Sequence, residues 1–151
     1  MPRPELSVII PIFNEEAVLP ELHRRLRDVM ADIETSVRDW EVIFVDDGSK
    51  DRSLVMLREM CAAESRFKVI SFSRNFGHQV AITAGTDSAE GDAVVIIDAD
   101  LQDPPEVVKE MIAKWRSGYD VVYGVRRTRA GETLFKKFTA AAFYRVLRGL
   151  S

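Results

Sequence analysis

The sequence predicts an α/β domain in three layers, with a mostly parallel central sheet between two layers of helices. Short apolar runs rich in β-branched residues alternate along the chain with apolar residues at helical spacing. Such an alternation, with short connections, favours parallel strand pairing. Because no internal repeat or linker interrupts the pattern, residues 1–151 are predicted to form a single domain.

Five runs have the length and composition of strands: Leu6–Phe13, Trp40–Val45, Phe67–Phe72, Ala93–Ile97 and Tyr119–Val125. The fourth run has the sequence AVVII and is apolar throughout. It is therefore expected to be covered by helices on both faces. Ligands bind such sheets at the carboxyl ends of the strands, so the polar residues that follow each run are the candidates for function.

Helical patterns fill the intervals between the strands. Asn14 is predicted to cap the first helix, and Asp51 the second. The third helix is predicted over Gly77–Ser88. The Pro-Pro pair at 104–105 is expected to open the fourth, since proline is tolerated in a first helical turn. An amphipathic helix is predicted to close the chain over Leu134–Leu150.

The composition excludes several classes of protein. An apolar content of 46% in 151 residues is enough for a core, and it excludes disordered and collagen-like chains. No stretch approaches the ~18–20 apolar residues of a spanning helix, and the first residues do not resemble a signal peptide. The single cysteine, Cys61, excludes an internal disulfide and is expected to be a buried structural thiol in a reducing, cytoplasmic compartment.

Charge is divided unevenly along the chain. Residues 1–125 contain 14 basic and 23 acidic residues, a balance of −9, whereas residues 126–151 contain seven basic residues and one acidic residue. The basic segment is either a solvated helix face or a surface that meets an anion such as phosphate or lipid. The closing helix likewise has two interpretations: a helix that lies in a membrane interface, or one that packs on the sheet.

The most informative motif is the acidic pair Asp98 and Asp100, directly after the fourth strand. Two carboxylates at this spacing suit Mg²⁺ or Mn²⁺, which retain several waters and share phosphate oxygens with a substrate. The structural alternative is that Asp100 or Asp103 caps the next helix. The position after an apolar strand favours the metal interpretation for the pair, while Asp103 is assigned to capping.

Other polar residues follow the second and third strands. Asp47 is assigned to a base or ribose and Asp46 to a structural role, although an Asp-Gly pair is also an ordinary turn signal. Arg74 is expected to meet a phosphate or to brace the acidic residues. His78 is expected to be satisfied or exposed rather than catalytic, and His23 to face solvent. Neither G-x-G-x-x-G after the first strand nor a P-loop motif is present.

Five segments occur in the order seen in family 2 glycosyltransferases with the GT-A fold: SVIIPIFNEE, VDDGSKDRS, SRNFGHQVAITAG, DADLQDPPE and YGVRRTRAGE. Over nearly its whole length the chain resembles the polyprenyl-phosphate sugar transferases of that family. The resemblance implies a GT-A, Rossmann-like sandwich. It also implies the site residues. Asp98 and Asp100 would hold the divalent ion and diphosphate, and Arg126 would contact phosphate. The residues implied in nucleotide binding are Pro11, Phe13, Glu15, Val45, Asp47, Ala99 and Gln102.

The implied reaction is metal-dependent transfer of a hexose from a UDP- or GDP-sugar to a polyprenyl phosphate, with inversion at the anomeric carbon. Two alternatives remain: a saccharide or protein acceptor, or a module that binds nucleotide sugar without turnover. The expected partners are the nucleotide sugar, the lipid phosphate and the cytoplasmic face of a membrane, with no nucleic acid. Because family members continue well beyond Ser151, the acceptor side is expected to be incomplete, and the exposed surface is expected to favour a homo-oligomer.

Overall fold

The computed structural model describes residues 3–102 and 104–124, and these form one sheet with helices on both of its faces. The four strands are β1 (Leu6–Ile12), β2 (Trp40–Asp46), β3 (Phe67–Ser71) and β4 (Ala93–Ile96). Their order across the sheet is β3-β2-β1-β4, and every pairing is parallel. The predicted α/β class with a parallel central sheet is confirmed.

The four helices are α1 (Leu19–Ile33), α2 (Ser53–Ala63), α3 (His78–Ser88) and α4 (Val107–Arg116). The fourth begins after the predicted Pro-Pro pair, and residue 106 is its N-cap. The second begins two residues after Asp51, whose Oδ1 accepts a hydrogen bond from the Ser53 amide at 2.9 Å. Asp51 therefore satisfies an amide of the first turn from outside the helix.

The two faces of the sheet are covered unequally. On one face, α1, α2 and α4 bury the larger core, which includes Phe44 and Val8 from the central strands. On the other face, α3 packs on β1 and β2 and buries a small cluster of four residues: Ile9, Ile43, Val45 and Ala81. Both central strands are buried along their whole length, as parallel strands between helices should be.

Within the described residues, one face of the fourth strand is exposed, contrary to the expectation that both faces are covered. Val94 and Ile96 of β4 are 41% and 43% exposed, whereas Val95 between them is buried. Val94 pairs with Ser7 and Ile96 with Ile9, so both lie on the face that carries α3. Because α3 packs on the two central strands, it leaves this face of β4 uncovered by the described residues.

The predicted fifth strand is also not formed within the described residues. Residues 119–124 have no regular secondary structure, and Val121 and Tyr123 are 77% and 78% exposed. A strand needs a partner for its backbone groups, and the described residues 119–124 pair with no strand of the sheet. Val125, Asp103, Arg126 and the predicted helix Leu134–Leu150 lie outside the described residues.

Two single-residue expectations have mixed outcomes. His23 faces solvent only in part: it is partly buried, its ring lies edge-on to Phe67 at 5.9 Å, and burial lowers the pKa of its imidazole. Cys61 is partly buried against the larger core, and burial raises the pKa of its thiol. A thiol whose pKa is raised has little thiolate at neutral pH, so the structural role predicted for Cys61 fits its surroundings.

Candidate active site

A cleft of about 300 Å³ lies where the strands end and is the candidate active site. It opens at the carboxyl edge of the parallel sheet, the edge at which this class of fold binds ligands. Its lining residues come from the end of β1, from the segments that follow all four strands and from α3: Pro11, Ile12, Phe13, Glu15, Asp47, Asn75, His78, Ala81, Asp98, Ala99 and Asp100.

Hydrogen bonds with the loop between β2 and α2, and with the first residue of α2, hold the segment after β1 in place. Asn14 has a positive φ of 56°, its amide donates to Ser49 Oγ at 2.9 Å, and its Oδ1 accepts from the Lys50 amide at 2.8 Å. The Glu15 amide donates to Ser53 Oγ at 2.9 Å. The sequence predicted Asn14 as the cap of α1, but the N-cap is Val18, and the side chain of Asn14 links the loop after β1 to the loop after β2.

Asp47 fastens the segment after β3 to the end of β2. Its carboxylate is buried, and the amides of Phe76 and Gly77 donate to its two oxygens at 2.7 and 2.9 Å. Gly48 lies so close to this segment that an added Cβ would be 2.4 Å from the carbonyl carbon of Arg74. Hydrogen bonds to a carboxylate are among the stronger ones in proteins, so Asp47 fixes the backbone that leads into α3.

Asp46 has an internal, structural environment. Its side chain is 1% exposed, its Oδ1 accepts from the Ser49 amide, and its Oδ2 accepts from Ser71 Oγ, each at 3.2 Å. These bonds join β2 to the neighbouring strand and to its own turn. The structure therefore places Asp46 within the scaffold of the site, and it does not line the cleft.

Asp98 and Asp100 both line the cleft, as the acidic pair predicts. Asp100 Oδ1 accepts from the Gln102 amide at 3.0 Å, and Leu101 between them has a φ of 59°. Asp100 thus closes a tight turn of its own rather than capping α4. Asp100 is exposed in the cleft, and its second carboxylate oxygen, Oδ2, takes no part in this turn.

Negative charge accumulates around this pair. The pKa of Glu15 is raised above its usual range, first by burial and then by the nearby charges of Asp100 and Asp51. Carboxylates that repel one another in a partly buried cleft favour a bound cation. Oxygen donors of this kind fit Mg²⁺ or Mn²⁺.

The protein does not complete a metal site with its own side chains within the described residues. Among residues 3–102 and 104–124, no three His, Cys, Asp or Glu side chains are grouped so as to hold a metal ion. An ion held by Asp98 and Asp100 would therefore take its other ligands from water or a bound anion, which is the usual mode of Mg²⁺ in phosphate-binding sites.

Seven of the residues implied in donor or metal binding line the cleft together: Pro11, Phe13, Glu15, Asp47, Asp98, Ala99 and Asp100. Val45 does not line it, because its side chain is buried in the small cluster under α3. Gln102 does not line it either, although its amide orients Asp100. Arg126 lies outside the described residues.

Four other residues line the cleft, and two of them, Asn75 and His78, are polar residues that the sequence did not assign to the site. His78 Nε2 lies 3.6 Å from Asp98 Oδ1. These residues follow β3, whereas the acidic pair follows β4 at the far side of the sheet. The only available signal was their position after a strand, since a single histidine has no local pattern.

Comparison with known proteins identifies the family. Residues 7–149 match the family described as Glycosyl transferase family 2. An uncharacterized glycosyltransferase of Bacillus subtilis is 56% identical over 147 residues, which cover 97% of this chain and 45% of the relative. A bactoprenol glucosyl transferase of Shigella phage SfV is 37% identical, over 97% of this chain and 47% of its own length.

A solved structure agrees with the fold. The mannosyltransferase PcManGT of Pyrobaculum calidifontis, in complex with GDP-Man and Mn²⁺, superposes with a TM-score of 0.65 at 26% identity, covering 83% of this chain and 36% of that one. The chain therefore spans about half or less of the length of the relatives it matches. The predicted GT-A fold is confirmed.

Proposed function

The chain belongs to glycosyltransferase family 2, and on that premise we propose that it forms the donor-binding part of an enzyme that transfers a hexose from a nucleotide diphosphate sugar to a polyprenyl phosphate. The observation that carries the proposal is the cleft at the carboxyl edge, where Asp98 and Asp100 lie beside Glu15, a carboxylate of raised pKa. Charges of one sign concentrated in a cleft indicate a ligand of the other sign.

The donor is proposed to bind in the cleft through its diphosphate and a divalent ion. Asp98 and Asp100 would hold Mg²⁺ or Mn²⁺, and the bound ion would neutralise charge on the departing diphosphate. The relative solved with GDP-Man and Mn²⁺ supports this assignment. Arg126 is proposed to contact phosphate from beyond the described residues, since an arginine fork matches phosphate oxygens.

The nucleoside is proposed to lie along the wall formed by Pro11, Phe13 and Glu15. Phe13 is 43% exposed, so a ring face or edge is available for contact with a base. Asp47 has two oxygens that already accept backbone amides, and its remaining lone pairs are proposed to receive the base or ribose. Val45 pairs with Pro11 of this wall in the sheet, and Ala99 lines the cleft in the segment after β4.

The transfer step is proposed to be a direct displacement with inversion. An oxygen of the acceptor phosphate forms a bond to the anomeric carbon, while the bond from that carbon to the diphosphate breaks and its electron pair leaves with the nucleoside diphosphate. The acceptor phosphate is already anionic at neutral pH, so this step needs no strong general base. The similarity to a bactoprenol glucosyl transferase supports a polyprenyl phosphate as the acceptor.

Contact with the cytoplasmic face of a membrane is proposed to come from the basic residues of segment 126–151, which could meet anionic lipid. No helix in the described part of the chain is long and apolar enough to cross a bilayer. The chain is expected to co-sediment with vesicles that contain anionic lipid, and less at high salt. Failure to sediment at low salt would contradict this part of the proposal.

Calorimetry tests the donor site. Wild-type chain is expected to bind UDP-glucose or GDP-mannose with Mn²⁺ and more weakly with EDTA, whereas Asp100→Ala should lose the Mn²⁺-dependent part. Asp87→Ala is the matched control, because Asp87 is exposed on α3 and does not line the cleft. Equal binding by Asp100→Ala and wild type would remove the metal assignment. Donor binding without sugar transfer to lipid phosphate, by a protein of the relatives' length that contains this chain, would instead favour a module without turnover.

A further inference from the structure

Asp98 and Asp100, two of the acidic residues that line the cleft, differ in how their carboxylates are oriented. Asp100 Oδ1 accepts the Gln102 amide at 3.0 Å, so a hydrogen bond fixes this carboxylate. Within the described residues, Asp98 has no hydrogen bond of this kind, and its side chain is 47% exposed. A half-exposed aspartate at the end of a strand can occupy several rotamers, only some of which direct an oxygen at a shared ion.

His78 lies next to Asp98 in the lining of the cleft. Its Nε2 is 3.6 Å from Asp98 Oδ1, and the imidazole is 54% exposed. That separation is longer than a hydrogen bond, but a small side-chain rotation on either side would bring the two atoms to about 2.9 Å. Metal-ligating carboxylates are commonly oriented by a hydrogen bond from such a second residue.

The backbone of His78 is fixed although its side chain is not buried. Asp47 accepts the amides of Phe76 and Gly77, the two residues that precede His78. Gly77 has a φ of +101°, a conformation that side chains other than hydrogen disfavour, and it is the N-cap of α3. The hydrogen bonds to buried Asp47 and the conformation of Gly77 together place His78, the first residue of α3, in the lining of the cleft.

We propose, on the basis of the donor site described above, that His78 is a positioning residue for the cation site. Its Nε2–H donates to Asp98 Oδ1 when the ion and nucleotide bind, and this leaves the other oxygen of Asp98 to face the ion. His78 then does for Asp98 what the amide of Gln102 does for Asp100. His78 neither ligates the ion nor takes a proton in the transfer step.

The test is calorimetric titration of the chain with Mn²⁺ in the presence of UDP and, separately, GDP. His78→Leu removes the donor and is expected to weaken Mn²⁺ affinity about tenfold, at the low end of the losses measured for such orienting residues. His78→Gln retains a neutral N–H donor and is expected to stay within about threefold of wild type. Gln79→Leu, on the next residue of α3, which is also exposed and does not line the cleft, is the control and should not change the affinity.

The outcomes separate this inference from the donor site itself. If His78→Leu binds Mn²⁺ as tightly as wild type while Asp100→Ala does not, the donor site stands and His78 has no positioning role. If His78→Gln is as weak as His78→Leu, donation of a hydrogen bond is not the mechanism. If wild type shows no Mn²⁺-dependent binding of either nucleotide, both proposals are overturned.

Discussion

Two carboxylates at opposite edges of the sheet, Glu41 and Glu15, have opposite environments. Glu41 lies at the amino edge and is 3% exposed; it accepts from Ser7 Oγ and from the Glu90 amide, and Lys68 Nζ is 2.6 Å from its Oε2. Burial alone would raise the pKa of Glu41, but these partners lower it below its usual range. Glu15 lies at the carboxyl edge, and its pKa is raised by burial and by other carboxylates.

The difference distinguishes a carboxylate that the protein itself stabilises from one that is proposed to lie beside a bound cation. The amino edge supplies Glu41 with a cation and two hydrogen-bond donors from the protein itself. At the carboxyl edge, the charges that act on Glu15 within the described residues are those of Asp100 and Asp51, and both raise its pKa. A partly buried negative charge without a protein partner is costly unless a bound cation compensates for it. Stability should therefore depend on the amino edge, and ligand binding on the carboxyl edge.

Replacement of Glu41 should have the largest effect on stability. Glu41→Ala leaves the Ser7 hydroxyl and the Glu90 amide without their acceptor, and we expect the free energy of unfolding to fall by about 2–4 kcal/mol in urea denaturation. Glu59→Ala, at an exposed position of α2, is the control and should change it by less than about 0.5 kcal/mol. Donor binding by any folded Glu41→Ala protein should be unchanged.

The sign of the pH dependence follows from the lowered pKa of Glu41. Its contribution to stability is present above the unfolded-state pKa of a glutamate and is lost as the pH falls through the lower folded-state pKa. The gap in stability between wild type and Glu41→Ala should therefore narrow in acid. A gap that stays constant from pH 7 to pH 3 would show that the ionised form of Glu41 is not what stabilises the amino edge.

Replacement of Asp47 should affect both stability and binding, because this residue belongs to the scaffold and also lines the cleft. Asp47→Ala removes the acceptor of two amides, and we expect a loss of about 2 kcal/mol in the free energy of unfolding, together with weaker nucleotide binding. Asp47→Asn retains one acceptor oxygen and should lose about half as much stability. If Asp47→Ala keeps full stability, the hydrogen bonds from the Phe76 and Gly77 amides to Asp47 do not contribute to the free energy of unfolding.

The same contrast explains what the sequence could and could not predict. The apolar runs predicted the first residue of each of β1 to β4 and its last residue to within one position, because buried parallel strands need such runs. The exposed face of β4 was missed, since a short apolar run has the same composition whether one face or both are covered. The exposure of Val94 and Ile96 depends on where α3 packs, which is a tertiary property.

The part of the candidate site that comes from one short segment of the chain could be predicted from the sequence. Asp98 and Asp100 are two residues apart, and the turn after a strand brings both to the cleft. His78 is 20 residues before Asp98 and meets it only because the parallel sheet brings the ends of separate strands together. Asn14 was wrongly assigned as a helix cap, because its partners Ser49 and Lys50 are likewise distant in sequence.

Replacement of Glu15 should have the smallest effect on stability, and it should raise the free energy of unfolding, whereas replacement of Glu41 or Asp47 should lower it. The raised pKa means that the folded chain binds this proton more tightly than the unfolded chain, so ionisation of Glu15 destabilises the fold as the pH rises through that range. Glu15→Gln is therefore expected to raise the free energy of unfolding at pH 7 by less than about 1 kcal/mol, with no gain at pH 3. A clear loss of stability at pH 7 would mean that Glu15 has a stabilising partner.

The central claim is that Asp98 and Asp100 at the carboxyl edge hold a divalent ion together with a nucleotide diphosphate. Crystals of the chain grown with Mn²⁺ and UDP or GDP test it directly, through the anomalous scattering of manganese. We predict a manganese peak in the cleft, about 2.0–2.3 Å from a carboxylate oxygen of Asp100 and in contact with the diphosphate. A nucleotide bound in the cleft with no manganese at these carboxylates, or manganese bound only elsewhere, would contradict the claim.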